Sequence, residues 1–170
     1  MPAENADRGP DLDSASVHAE TGASAVAVRP LGYVEPRPVV RWIGDRSLAL
    51  GNARAAESPT DGFDAVLSLT ETDWPLTTHH RPLIDGAETE WPAFAAAVDC
   101  ARRLHRGDGT LLVHCKAGIS RSAVVIAATI AAEEGRSFRA ALATVQGARP
   151  HAIPHPALWE LAVIYLAARA

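Results

Sequence analysis

Lysine occurs once in this sequence, at position 116, and cysteine only twice, at positions 100 and 115. Two cysteines cannot build a disulfide framework, so reducing surroundings suit the chain, particularly if one thiol is to stay free. A basic surplus is missing as well. The formal net charge is −4, the wrong sign for a protein built mainly to hold nucleic acid. Nor is there a long hydrophobic run. The longest, Ala123 to Ala132, contains Thr129 and covers about half of a bilayer span. The opening stretch, MPAENADRGPDLDSASVHAE, has acids where a signal peptide carries positive charge, and it lacks an apolar segment. These absences lead to the expectation of a cytoplasmic protein without membrane association.

What is present suits one folded unit. Apolar residues make up 48% of the 170 positions, enough for a single domain with a proper core. Residues 1–27 are polar and acidic, with almost no large apolar side chains to offset their ordering entropy, so a disordered acidic tail is expected there. A single domain is expected over residues 28–170, without internal repeats.

Periodicity gives the elements. Val39–Ile43 and Ser47–Leu50 read as short strands around Gly44-Asp45, Ala65–Leu69 as a buried strand, and Arg81–Ile84 as another ending at Asp85-Gly86. From Trp91, apolar residues recur at Phe94, Ala95, Val98, Ala101 and Leu104, a helix with Pro92 in its first turn. Thr110–His114 is a short buried strand. Arg121–Glu134 follows as a helix that is apolar on nearly every face and hence central, with Gly135 as its C-cap. Ser137–Gln146 and an amphipathic Ala157–Ala168 complete the helices. The alternation predicts an α/β fold: a central mixed, mostly parallel sheet of about five strands flanked by helices, with a phosphate-binding loop between strand and helix.

That loop is VHCKAGISRS, Val113 to Ser122. A loop joining a strand end to a helix N-terminus can curl so that several backbone N–H groups converge, and the helix adds its free amides and positive dipole end. The backbone of Lys116, Ala117, Gly118, Ile119 and Ser120 would then cradle a tetrahedral oxyanion. Gly118 suits the tight curvature, and Arg121 supplies a fork matching two phosphate oxygens. The same field would lower the pKa of Cys115 from about 8.5 toward roughly 3.5–7.5, making it a thiolate without a partner base. A sulfur nucleophile on the floor of an anion cradle is a device for attacking phosphorus. His114, beside Cys115 in an extended strand, points to the opposite face and is expected to brace the loop by hydrogen bonds, while the Lys116 side chain turns to solvent.

His114-Cys115, five residues, then Arg121 and Ser122 resemble the protein tyrosine phosphatase signature HCx5R followed by Ser or Thr, and HCKAGISRS is most similar to the dual-specificity branch. WIGDRSLALGNARA resembles that branch's opening strands, FDAVLSLT its next strand, RPLIDG the strand and loop carrying the general acid, and ARPHAIPHPAL the segment before its last helix. There the family usually shows Pro-Asn, where this chain has Pro154-His155-Pro156.

A thiolate attack needs a carboxylic acid to protonate the leaving oxygen. Asp85 follows apolar Pro82-Leu83-Ile84 at the carboxyl end of an expected strand, where ligands of open α/β sheets bind, and it matches the family's aspartic acid. A turn-forming role in Asp85-Gly86 fits the sequence equally, and Glu88 and Asp73 are the runners-up. The resemblance implies that Ser122 donates a hydrogen bond to the departing sulfur; its place at the helix start explains it as well. It also implies a phosphatase acting through a phosphocysteine on phosphotyrosine and phosphoserine or phosphothreonine in proteins or peptides. No metal or cofactor is called for, because amides and Arg121 neutralise the phosphoryl charge. The chain lacks room for the segments that deepen the cleft of larger tyrosine-specific enzymes, so a shallow cleft and a monomer are expected. Alternatives keep the chemistry on RNA 5′-triphosphate, a phosphoinositide or a small phosphoester, or reduce the protein to a phosphate-binding adaptor. Missing basic character opposes RNA, Ile119 stands near where inositol-phosphate relatives carry a lysine, and an adaptor needs a spoiled nucleophile, whereas Cys115 and Arg121 are intact.

Other signals carry less. Gly118 to Ser122 approaches the serine hydrolase elbow but ends on Ser122 instead of glycine. His79-His80 and His151/His155 read as loop histidines, since Pro154 and Pro156 prevent a helical metal-binding pair. Arg102, Arg103, His105 and Arg106 fit the C-terminal dipole of their helix or an acidic substrate. Cys100 reads as a core residue or, alternatively, as a disulfide partner for Cys115.

Overall fold

The structure is a computed structural model that describes residues 34–58 and 62–170, so the tail over residues 1–27 lies outside the described residues. Strands β1 (Val40–Trp42) and β2 (Leu48–Gly51) form an antiparallel hairpin. A 3-10 turn at Ala53–Ala56 leads toward β3 (Ala65–Ser68) and the two-residue β4 (His79–His80). Then come α1 (Trp91–His105), β5 (Leu111–His114), α2 (Arg121–Glu134), α3 (Phe138–Ala148) and α4 (Pro156–Ala167). The sheet order is β1-β2-β5-β3-β4, and every pairing except β1 with β2 is parallel. This is the expected α/β architecture, and α2 matches its expected bounds.

The period-two alternation of strands splits the core into two faces. Leu48, Leu50, Leu67, Leu69, Leu111 and Val113 face the larger cluster, to which all four helices contribute. Ala49, Val66 and Leu112 face a smaller one with Ala55, Ala56, Phe63 and Trp74. Covered on both sides, β5 is buried at all four positions. Helix α2 is buried without interruption from Ser122 to Ala131, as its sequence requires. It stops at Gly135, whose φ of 62° is left-handed and whose N–H returns to Ala131 O. Ser137 then caps α3 by accepting from Ala140 N–H. Among the described residues no helix is long and apolar enough to cross a membrane.

Two expectations need correction. The segment Arg81–Ile84 is not a strand; the edge strand lies at His79–His80. Arg81 N–H and Leu83 N–H still donate to Ser68 O (2.9 Å) and Leu69 O (3.1 Å), but Pro82 between them has no N–H to give and the ladder ends. Helix α4 buries Leu158, Ala162 and Tyr165, yet it exposes Val163 and Ile164, so its outer face is less polar than an amphipathic pattern requires.

One buried side chain fixes the surroundings of the loop after β5. Asn52, fully buried, accepts from Val39 N–H (2.9 Å) and Ala55 N–H (3.2 Å) and donates to Glu35 O (3.4 Å) and Arg37 O (2.9 Å). It caps the 3-10 turn and ties the entering segment to the end of β2. Removing the amide leaves several buried partners unpaired. Asn52→Ala is therefore expected to lower the unfolding free energy by roughly 2–4 kcal/mol in urea denaturation. A loss below about 0.5 kcal/mol, the range of an ordinary surface substitution, would contradict this reading of the hub.

Candidate active site

Strand β5 delivers Cys115 to the carboxyl end of the sheet, and the loop from Cys115 to Ser120 runs into the N-terminus of α2. Four successive carbonyls of this loop are each taken by a donor outside it. Lys116 O accepts from Ala53 N–H (3.1 Å) and Ile119 O from Ile153 N–H (2.9 Å). Between them, Ala117 O accepts from Arg149 Nη2 (3.4 Å) and Gly118 O from Arg149 Nε (3.3 Å). In a planar trans peptide the N–H lies opposite the preceding C=O. Carbonyls held outward at residues 116–119 therefore turn the amides of Ala117, Gly118, Ile119 and Ser120 inward. Gly118 makes the curl possible: its φ is +64°, and a Cβ there would lie 2.9 Å from Gly51 O.

Cys115 lies on the floor of this ring, only 2% exposed. Its Sγ is 3.3 Å from the Ser122 hydroxyl, and the backbone N–H groups of Ile119 and Ser122 also act on it. Burial pushes the thiol up, but the Arg121 charge, the Ser122 hydroxyl and these two amides outweigh it and hold the thiol below its ordinary value. Arg121 is tethered through Nη1 to Leu69 O (3.3 Å) and Leu83 O (3.0 Å), which brings the ends of β3 and of the Arg81–Leu83 segment to the loop. Its Nε–H is buried with no partner among the described residues.

Asp85 reaches the same place. The Ser120 hydroxyl donates to Asp85 Oδ1 at 2.5 Å and accepts from His155 N–H at 2.8 Å. Ser120 thus spends its side chain on the Asp85 carboxylate and on the His155 amide. Lys116 is exposed, as expected, and with Thr70, Glu71, Thr72, Trp74 and Arg121 lines an open cleft of about 340 Å³ beside the loop. The rivals to Asp85 are exposed: Asp73 lies at the surface, and Glu88 lines a separate hollow with Pro82, Leu83 and Ile84.

The remaining candidates go elsewhere. Burial holds the His114 imidazole down at about 4, and neither ring nitrogen has a hydrogen-bond partner among the described residues, so the expected bracing of the loop by hydrogen bonds from this side chain is not made. His155 caps α4 by accepting from Ala157 N–H through Nδ1, the service that an asparagine would give there. His80 contacts Thr70 O and His79 contacts Thr78. Arg102 and Arg106 both pair with Glu133 on α2, binding helix to helix. Cys100 and Cys115 are both buried free thiols. Sequence reasoning missed Arg149, its ion-pair partner Glu35 (2.6 Å) and Asn52. The quoted segment ARPHAIPHPAL contained Arg149, but nothing local marked its carbonyl partners 31 and 32 residues away.

The model of the dual specificity phosphatase catalytic domain matches residues 51–165, well over half of the chain. The chain belongs to the dual specificity phosphatase family. Mouse dual specificity protein phosphatase 19 is 42% identical over 53 residues, which span 31% of this chain and 24% of that protein. Human dual specificity phosphatase 28 is 44% identical over 55 residues, 32% of this chain and 31% of that protein. The matched stretch thus spans about a quarter to a third of these relatives. The crystal structure of human dual specificity phosphatase 28 superposes with a TM-score of 0.63 at 29% identity, covering 76% of this chain and 96% of that one. That of a mouse putative dual specificity phosphatase complexed with zinc tungstate gives 0.64 at 27%, covering 82% and 94%.

Because the lowered Cys115 pKa depresses the thiol rather than raising it, the thiolate persists as pH falls below the ordinary thiol range. The rate of alkylation by iodoacetamide is expected to stay high below pH ~8 and to fall only at more acidic pH. Ser122→Ala, which removes one hydrogen bond to the sulfur, should shift that fall toward higher pH. A parent profile centred near pH 8.5, like a free cysteine, would contradict the geometry.

Proposed function

We propose that this chain is a cysteine-dependent phosphoprotein phosphatase, hydrolysing phosphotyrosine and phosphoserine or phosphothreonine monoesters through a phosphocysteine. The observation that carries this is the Cys115 sulfur set in a loop whose carbonyls are anchored outward and whose amides therefore turn inward, with the Nε–H of Arg121 buried and without a partner among the described residues. Such a ring fits the tetrahedral phosphoryl group, and a similar solved structure was determined with tungstate, an oxyanion of that shape.

In the first step the Cys115 thiolate attacks phosphorus in line with the leaving oxygen. The S–P bond forms and the P–O bond breaks while the protonated Asp85 gives its proton to the leaving alkoxide or phenoxide. Arg121 and the amides of the loop hold the three equatorial oxygens as their charge redistributes. In the second step a water attacks phosphorus and yields its proton to the Asp85 carboxylate. The S–P bond breaks, and Ser122 donates its hydroxyl proton in a hydrogen bond to the departing sulfur. The sum is ester plus water to alcohol plus phosphate. The Ser120 hydroxyl, bonded to one Asp85 oxygen, would hold this carboxyl group in place for both steps.

The cleft beside the loop supports this substrate class: it is open, with Trp74 and Thr72 among its lining residues, a setting compatible with the short phosphoserine and phosphothreonine side chains as well as phosphotyrosine. Cys115→Ser is expected to abolish turnover of para-nitrophenyl phosphate and phosphopeptides. Asp85→Asn should lower kcat for phosphoserine peptides by about 10²–10⁴ and less for para-nitrophenyl phosphate, whose leaving group needs less protonation. Unchanged rates in Cys115→Ser would end the mechanism, and an equal loss on both substrates would remove Asp85 as the acid. Faster hydrolysis of RNA 5′-triphosphate or a phosphoinositide than of phosphopeptides would move the substrate class.

A further inference from the structure

Arg149 lies at the end of α3, its backbone N–H bonded to Val145 O, and its side chain is 4% exposed. A guanidinium buried this far is costly unless every donor is used. Here one nitrogen, Nη2, serves both Glu35 Oε1 (2.6 Å) and Ala117 O (3.4 Å), while Nε donates to Gly118 O (3.3 Å). If Arg149 served only to pack α3 against the entering segment, an apolar side chain of similar length would do as well, because a buried ion pair is a weak stabiliser. What only a planar fork can do is grip two consecutive carbonyls at once.

We infer that Arg149 is a positioning residue for the phosphate loop: its guanidinium holds the Ala117 and Gly118 carbonyls outward and so aims the Gly118 and Ile119 amides at the bound oxyanion and the sulfur. The chain of contacts is continuous. Arg149 Nε–H binds Gly118 O, and on the opposite side of that same peptide plane stands the Ile119 N–H that acts on Cys115. The other two outward carbonyls, Lys116 O and Ile119 O, are held by backbone N–H groups of Ala53 and Ile153. Among the described residues, Arg149 is the side chain on which this half of the ring depends. Glu35 holds the guanidinium from behind, and Glu35 O is itself bound by Asn52 Nδ2 at 3.4 Å. The plane of Gly118–Ile119 is also the one that needs holding, since the left-handed glycine beside it can rotate with little steric resistance.

This inference rests on the phosphatase reading of the loop, and its test separates the two. Two quantities are measured that need no turnover: the affinity for inorganic tungstate by calorimetry, and the pH midpoint of Cys115 alkylation. In Arg149→Met both should move together, tungstate weakening by about 10- to 100-fold and the midpoint rising by about one pH unit, because two inward amides lose their anchor. Arg149→Lys keeps the charge but has a single donor point, so it should recover no more than a small part of either loss. Glu35→Gln keeps the fork on the carbonyls and should leave tungstate affinity within about threefold of the parent. Arg149→Lys decides the matter alone if Arg149→Met does not fold: a parent-like affinity and midpoint in the lysine variant would overturn the inference. So would a fall in melting temperature with both readouts unchanged, which is what a packing role gives, or a Glu35→Gln loss as large as that of Arg149→Met. If the parent itself binds no tungstate and its thiol titrates like free cysteine, it is the phosphatase reading that fails.

Discussion

The structure depends on the orientation of four peptide planes. Each has its carbonyl engaged on the outside of the loop after β5, and planarity then commits its N–H to the inside. No single one of these bonds is strong; a typical one contributes about 1 kcal/mol net. Their effect is geometric. They convert a flexible turn into a rigid concavity of partial positive charge before any ligand arrives, so that little reorganisation is left for the reaction.

The cost of this arrangement falls on Cys115. A thiolate in a buried site is disfavoured by the loss of water, and burial is the largest influence on that sulfur. The balance tips toward the anion because the Arg121 charge, the Ser122 hydroxyl and two amides act together. Two of these groups, Arg121 and the Ile119 amide, would also receive a phosphoryl oxyanion, so a change that weakens either one weakens the hold on both sulfur and ester.

Much of this was legible in the sequence, and the parts that were not share a physical reason. Cys115, Gly118, Arg121 and Ser122 lie within eight residues of one another on a strand, a loop and a helix start, so their chemistry is set by local geometry that spacing encodes. Helix α2 and its Gly135 cap were equally plain, because a helix apolar on nearly every face lies centrally and a glycine directly after it is a natural C-cap. The edge strand was misplaced because Pro82 interrupts an otherwise convincing apolar run, and proline removes the very donor that defines a strand. Arg149, Glu35 and Asn52 were invisible for a different reason. Arg149 and Glu35 pair across 114 residues, and Asn52 reaches back 17 and 15 residues to the carbonyls it binds. Such partners are created by the sheet order, and no local pattern announces them. His155 falls between these cases: its departure from the family's asparagine was readable, whereas its takeover of the capping role needed coordinates.

The most direct test of the central claim is a crystal structure of the protein with tungstate. The account predicts the oxyanion seated above Cys115 Sγ, with amide nitrogens of Ala117, Gly118, Ile119 and Ser120 about 3 Å from its oxygens and all four carbonyls of residues 116–119 still turned outward. A carbonyl of this loop facing the oxyanion, or tungstate bound away from Cys115, would contradict it.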